Sequence, residues 1–348
     1  MATQSPTPAT SRWKSILAIG CTAMLALTGC SSGGDESGAQ ANSDWEPVMI
    51  DSALGSATIE EEPERIVTLG QGSTETAIAL GTTPVGMEEY PWGADDTGYL
   101  PWVHEAVTER GDELPELITG ATELDIEAIV ELEPDLILAP WSGVTQEQYD
   151  LLSDIAPTVA YPEQPWTIEW DQQIEIIGEA LGQEAEAQGL IDDIHGQFEA
   201  AREASYEDVT FSNIYNTGPG TLGVFYPNEQ RVAMVEALGL TPDPVIEELR
   251  DDYDAPGTQS ALIGLENADK LSDSDLLFTF YMDEASREEI EAQELYASMP
   301  AMEADAVVAS EDQSFVTASS MINPLTVPYT LERYKPMIDE AIANLEQN

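Results

Sequence analysis

Near the middle of the chain, apolar residues recur at helical intervals. Trp170, Ile174, Ile177 and Leu181 stand four, three and four residues apart, and after Gly182 the pattern resumes as Ala187, Ile191, Ile194, Phe198 and Ala201. This spacing predicts two helical phases within Thr167–Ser205, broken or kinked at the glycine between them. A helix over Gln183–Ala204 spans roughly 33 Å at about 1.5 Å per residue. Stretches of similar length and pattern flank it, so the second phase reads as a strut between two halves. The plainer alternative is a packing helix inside one domain.

Elsewhere short apolar runs alternate with helical ones. Pro47–Asp51 and Ala57–Ile59, with Gly55 between, predict a strand pair. Ile66–Leu69 reads as a strand, Gly70–Ser73 as a turn, and Thr74–Leu80 as a helix closed by Gly81. Pro84–Met87 resembles a second strand, and Glu88–Leu117 reads as an aromatic loop with Tyr90, Trp92, Tyr99 and Trp102. A helix over Asp125–Leu132, a strand over Asp135–Ala139, a helix over Gln146–Ile155 and a strand over Thr158–Tyr161 follow. Beyond the strut come a strand at Thr210–Tyr215, a turn at Asn216–Gly220, and a helix at Gln230–Leu238 closed by Gly239. Leu265–Leu271 reads as a short helix, Leu276–Phe280 as a strand, and Arg287–Ser298 and Leu331–Leu345 as helices. Such alternation predicts α/β architecture with parallel sheets covered on both faces. The two halves also echo each other: Ile126-Glu127 leads through Leu132 to Asp135-Leu136, as Leu265-Glu266 leads through Leu271 to Asp275-Leu276, and Ala79-Leu80-Gly81 matches Ala237-Leu238-Gly239.

The N-terminus changes the picture of where the chain works. Arg12 and Lys14 precede an apolar run, Ser15–Leu27, too short for a stable anchor, and the run ends in Leu27-Thr28-Gly29-Cys30. This is the order of a bacterial lipoprotein signal, with Cys30 as the lipidated residue; a plain secretory signal is the alternative. Residues 1–29 are then a signal peptide and 30–45 a Ser/Gly-rich flexible tether. An N-terminal lobe is expected over 46–166, an interlobe helical segment over 167–206 and a C-terminal lobe over 207–348. Cys21 and Cys30 are the two cysteines, so no disulfide framework is expected. Losing Arg12 and Lys14 with the signal leaves nine basic residues against 67 acidic ones, a net charge of −58. That argues against nucleic acid and against docking on an anionic membrane face. Disorder is opposed by the 42% hydrophobic content and its periodicity. The acidity suits a salty or an alkaline exterior.

Several segments resemble the siderophore-type substrate-binding proteins of ABC importers. Pro63-Glu64-Arg65-Ile66-Val67-Thr68-Leu69 is similar to that family's first strand, and the helix with Glu75 and Leu80-Gly81 follows as in the family. Residues 127–139 (EAIVELEPDLILA) resemble its most recognisable segment. Gln146–Leu152 and Ile155–Val159 look like the ferric-siderophore lipoproteins of Gram-positive actinobacteria. The resemblance spans roughly residues 45 to 345. It implies two α/β lobes with mostly parallel sheets, joined by a long helix, with a ligand cleft between them. It also implies a monomeric, membrane-anchored receptor on the extracytoplasmic face that passes a ferric siderophore to an ABC permease and its ATPase. No cofactor is expected, since the siderophore already fills the iron's coordination shell. Haem and cobalamin remain rival ligands of the same fold.

In open α/β sheets, ligands bind beyond the carboxyl ends of the strands. That places Gly70-Gln71-Gly72, Trp141 and Ser142 on one side of the expected site, and Asn216-Thr217-Gly218, Tyr281-Met282 and Met321-Ile322-Asn323 on the other. Tyr90 and Trp92 are expected at the rim, while Trp102, Trp166 and Trp170 read as core or packing residues. Arg231, which follows Phe225-Tyr226-Pro227-Asn228 and opens a helix, is the best basic candidate for the cleft, with a surface ion pair as the alternative. Tyr226 is grouped with it. Family members that take tris-catecholates place basic residues in the cleft, and here few are available. Hydroxamate-binding relatives commonly carry an arginine where this chain has Ala121.

Other chemistries find little support. His104 and His195 are far apart, and carboxylates are dispersed, against a zinc or manganese cluster. Gly70-Gln71-Gly72-Ser73-Thr74 is not a G-x-S-x-G nucleophile turn and no P-loop occurs, so no enzymatic activity is expected; a secreted hydrolase is the rival from another class. Glu127 and Glu266 occupy equivalent places in the echoed segments. In the resembled family an acidic residue on each lobe meets an arginine of the permease, which makes these two the docking candidates. A long interlobe helix cannot fold across itself, so closure is expected to be a few degrees of rocking.

Overall fold

The computed structural model describes residues 45–120, 123–253 (at Asp251 the backbone alone) and 258–347. The expected signal peptide, nearly all of the tether with Cys30, and Ala121 lie outside the described residues. The chain opens with the antiparallel pair β1 (Val48–Asp51) and β2 (Ser56–Ile59). The first lobe then runs β3 (Ile66–Thr68), α1 (Ser73–Ala79), β4 (Gly86–Glu88), α2 (Pro101–Arg110), β5 (Glu116–Ile118), α3 (Ile126–Glu131), β6 (Leu136–Leu138), α4 (Gln146–Ser153) and β7 (Thr158–Val159). Its sheet has the order β5-β4-β3-β6-β7 and is parallel throughout. Strands β3 and β6 are buried at every position, as expected where helices cover both faces.

Two helices follow, α5 (Trp170–Ala180) and α6 (Glu184–Ala201). Gly182 separates them at φ +64°, a conformation glycine adopts without steric cost. The helices fold back on each other. A Cβ on Gly178 would come 2.3 Å from that of Ala187, and the rings of Trp170 and His195 meet at 5.1 Å. The connection is therefore a helix pair rather than one rod. Helix α6 begins near Trp45, which lies against Gly182, and ends where Lys335 Nζ donates to the Ala201 carbonyl at 3.0 Å. The expected extension to Ala204 is instead a short 3₁₀ turn, Ala204–Tyr206.

The second lobe comprises β8 (Thr210–Tyr215), β9 (Gly223–Phe225), α7 (Gln230–Ala237), β10 (Thr241–Pro242), α8 (Val245–Tyr253), β11 (Ser260–Leu262), β12 (Leu276–Phe280), α9 (Glu284–Glu291), α10 (Glu294–Ala297), α11 (Pro300–Glu303), β13 (Val307–Ser310), α12 (Gln313–Ala318) and α13 (Thr326–Leu345). Strands β8, β10, β12 and β13 pair in parallel, whereas β9 is antiparallel to both β8 and β11.

The structure corrects several expectations. The aromatic stretch 88–117 is not all loop: it contains α2 and the start of β5. Pro101 opens α2 at its first position, Gly111 closes it at φ +77°, and Trp102, Val103 and Val107 bury one face. The helix expected at Arg287–Ser298 starts earlier, at a capping box between Asp283 and Ser286, and ends at Glu291 before α10 begins. Helix α13 starts at Thr326 rather than Leu331, and Leu265–Leu271 is 3₁₀ rather than α.

The echo between the halves is structural. The Asp135 carboxylate accepts from the Arg65 amide at 2.9 Å just before β3, and the Asp275 carboxylate accepts from the Thr210 amide at 2.9 Å at the start of β8. Each aspartate ties its own strand, β6 or β12, to that parallel neighbour. Arg65 then donates to the Leu132 and Glu133 carbonyls, where a cation also meets the negative end of α3. The two lobes share one apolar core, which runs from Ile66 and Leu138 through Ile177, Ile194 and Phe198 to Phe211 and Leu277.

Candidate functional site

The first lobe contributes a clamped loop after β3. Gly70 and Gly72 both hold positive φ, +72° and +74°. A Cβ on Gly70 would sit 2.2 Å from the Trp141 carbonyl oxygen, so no larger residue fits there. The Gly70 amide donates to Glu88 Oε2 at 2.8 Å, the Gln71 amide to the Trp141 carbonyl at 3.0 Å, and Gln173 Nε2 to the Gln71 carbonyl at 2.6 Å. The Gln71 side chain is bonded to the Tyr90 hydroxyl. Behind the loop Glu75 is 2% exposed and accepts from Trp102 Nε1 at 2.9 Å. Burial pushes the Glu75 carboxyl up, and that hydrogen bond only partly offsets it. Burial likewise raises Glu88, against the pull of the Gly70 amide. Burial takes Tyr90 up to about 12, although the positive charge of Arg231 acts on it from the second lobe in the opposite sense.

Arg231 stands on the other side. Its guanidinium lies 4.1 Å above the Phe225 ring and 5.7 Å from that of Phe280, and its Nε is 3.4 Å from Glu229 Oε1. Glu229 is nine-tenths buried, and burial raises its carboxyl despite the neighbouring arginine. The two readings of Arg231 thus coincide: it is a half-buried cation that is also ion-paired.

Beyond the carboxyl ends of β8 and β12 lies a cavity of about 410 Å³, within the range of about 300–1,000 Å³ typical of small-molecule pockets. Tyr215, Phe280, Tyr281 and Ile290 form its apolar wall, Asn216, Thr217 and Ser286 its polar edge, and Trp92 and Met282 its rim. Trp92, at 50% exposed, is the first-lobe residue of this lining. Tyr281 is fixed through its hydroxyl, 3.1 Å from that of Tyr296, and burial drives its pKa up. The Asn216 amide nitrogen and oxygen are buried, and the amide lies by Tyr296, where it partly offsets the rise that burial imposes on that phenol.

Of the expected site residues, Trp92 and Tyr281 meet at this cavity, with Asn216, Thr217, Gly218 and Met282. The others do not line it. Gln71 belongs to the clamped loop. Trp141, 6% exposed, packs with Trp102, Ile168 and Met321 in a cluster that bridges the lobes. Ser142 donates its hydroxyl to the Ala139 carbonyl at 2.8 Å. Asn323 turns the chain into α13, its side-chain oxygen accepting from the Leu325 and Thr326 amides. Tyr226 is fully buried, with the Arg250 guanidinium 4.1 Å above its ring. Trp166, expected as a core or packing residue, is 43% exposed and packs its ring against Gly143. Glu127 and Glu266 are both exposed, each in the first turn of the short helix that precedes β6 or β12. Tyr215, Phe280, Ser286 and Ile290 escaped the sequence reading. The Asp283–Ser286 capping box was the signal that could have placed the last two.

Among the described residues, no group of three or more His, Cys, Asp or Glu side chains could hold a metal ion, and no helix is long and apolar enough to cross a membrane. Residues 66–313 match the family model described as periplasmic binding protein. The chain belongs to the periplasmic binding protein family. This periplasmic binding protein is 29% identical over 292 residues to the ferric enterobactin-binding periplasmic protein FepB of Escherichia coli O6:H1, covering 78% of this chain and 86% of the relative. It is 35% identical over 146 residues to a probable siderophore-binding lipoprotein, YfiY, of Bacillus subtilis, covering 42% of each. Among solved structures it resembles Streptococcus pneumoniae PiaA in complex with ferrichrome, with a TM-score of 0.78 at 29% identity, covering 85% of this chain and 99% of that one.

Proposed function

We propose that this periplasmic binding protein is an extracytoplasmic lipoprotein that captures a ferric siderophore and delivers it to an ABC importer, without covalent chemistry. The observation that carries the reading is the cavity beyond the carboxyl ends of β8 and β12, faced by Trp92 from the first lobe and walled by Tyr215, Phe280 and Tyr281. Such a wall suits a bulky, partly apolar, oxygen-rich complex, and the iron needs no protein ligand. The names of FepB and of the PiaA–ferrichrome complex support the same class of cargo. Cys30 anchors the chain to the outer face of the cell membrane of a Gram-positive actinobacterium, where it works as a monomer. Glu127 and Glu266 dock the permease dimer, presenting like charges at equivalent points of the two lobes, as a two-fold-related partner requires.

A fluorescence titration of the signal-free chain with ferric hydroxamates, catecholates and carboxylates tests the cargo. Quenching of tryptophan emission by one of them is expected, since Trp92 lies at the rim. No response to any of them refutes the reading, and haem or corrinoid absorbance co-purifying with the protein transfers the site to those ligands.

A further inference from the structure

The charges around the cavity discriminate between kinds of ferric complex. A ferric tris-catecholate is a trianion, whereas a ferric tris-hydroxamate is uncharged. Among the described residues, Glu289 is the one charged residue lining the cavity, and it is exposed. Arg231 and Arg287 approach Phe280 and Tyr281 of its wall, and both are already matched. Arg231, 5.7 Å from the Phe280 ring, is paired with Glu229 at 3.4 Å. Arg287, 5.8 Å from the Tyr281 ring, is paired with Glu291 at 2.9 Å and with Glu311 at 3.4 Å. The local sum is negative, with three carboxylates around one arginine on the α9 side. The remaining polar groups of the lining are neutral: the Asn216 amide and the hydroxyls of Thr217 and Ser286. The Thr217 and Ser286 hydroxyls can each donate to or accept from a ligand without adding charge.

We propose that the cavity selects an uncharged ferric complex of the tris-hydroxamate class and discriminates against a trianionic tris-catecholate. This inference rests on the siderophore-receptor reading above. A trianion entering here loses hydration and gains no unpaired cation in return. It also meets like charge at Glu289, an arrangement that serves to reject wrong partners. The field of an acidic chain adds a kinetic penalty to its approach. An uncharged complex pays none of these costs, stacks on the aromatic wall, and turns its carbonyl and N–O oxygens toward neutral donors. The selection would separate this chain from a relative named for ferric enterobactin.

The test is a fluorescence titration of the signal-free chain with ferrichrome as the uncharged probe and ferric enterobactin as the trianion, at about 0.15 M salt. Ferrichrome is expected to bind at least about 100-fold more tightly. Two separate substitutions, Glu289→Lys and Met282→Arg, each place a cation at the cavity and are expected to narrow that ratio by about tenfold, through gain for the trianion. Ferric enterobactin binding as tightly as ferrichrome, or more tightly, overturns the selection and leaves the receptor reading standing. An unchanged ratio in both variants overturns its electrostatic basis. No response to either probe, nor to ferric citrate, overturns the receptor reading and the selection together.

Discussion

Trp92 is the point at which the first lobe reaches the cavity, so Trp92→Ala measures how far the ligand is held between lobes. A tryptophan side chain buries about 200 Å² when fully covered. Trp92 is 50% exposed, which leaves roughly 100 Å² for a ligand to cover. At about 25 cal/mol per Å² that area contributes about 2.5 kcal/mol to binding, or roughly 70-fold in Kd. Residual wetting of the rim lowers the figure, so a loss between about 10-fold and 70-fold is expected. The buried half contributes a similar amount to folding, so affinity must be measured well below the unfolding transition. Because Trp92 is also the optical reporter, isothermal titration calorimetry with ferrichrome is the appropriate assay. Trp92→Phe keeps an aromatic face and is expected to stay within about fivefold of the parent. An Ala variant that binds within about threefold of the parent would show that Trp92 does not cover the ligand, and the cargo would then be held by the second lobe alone.

Gly70→Ala forces a left-handed residue, worth about 1–2 kcal/mol, and a clash with the Trp141 carbonyl of about 1–3 kcal/mol; denaturant unfolding should lose about 2–5 kcal/mol, and an unchanged midpoint would refute the clamped-loop account. Glu75→Gln keeps an acceptor for Trp102 and removes a charge. The Glu75 carboxyl is held above its ordinary 4.5 by burial, so its contribution to stability is full below that pH and is lost as pH rises through the raised value. The Gln variant should therefore melt above the parent at pH ~8, with the gap closing toward pH ~4; a gap that does not change with pH would sink this reading. Replacing both Glu127 and Glu266 by Ala should abolish uptake in cells while ferrichrome affinity in solution stays unchanged, and normal transport by the double variant would remove the docking assignment. Small-angle scattering should detect only a few degrees of lobe rocking on ligand addition, because one apolar core continues through α5 and α6 and the Trp102 and Tyr329 rings meet at 5.3 Å across the lobes; a large fall in radius of gyration would contradict this.

Local periodicity and chain punctuation were enough to place most of the scaffold. The two helical phases around Gly182, the β1–β2 pair, and strands β3, β6, β8 and β12 were legible because each is decided within a few residues, by an apolar face or by a glycine that alone tolerates the backbone. The echo at Asp135 and Asp275 was also written in the chain, since each aspartate stands one residue before its strand. Helix α2 shows little periodicity, since only Trp102, Val103 and Val107 of its ten residues are buried, and its marks are Pro101 and Gly111 at its ends. The site was less legible, for a physical reason. Residues at strand ends are candidates for a cleft, but whether Trp141, Met321 or Tyr226 faces ligand or core depends on which distant surface packs against it. Trp141 and Met321 come from different lobes and bury each other's cluster; Tyr226 is covered by Arg250 of α8; Trp92 is only half covered and stays at the rim. Charge behaves the same way. Composition established that cations are scarce, but only the tertiary structure decided that Arg231 and Arg287, the two beside the cavity, are already held by carboxylates, because ion pairing is a matter of a few ångströms between side chains whose separation along the chain carries no information.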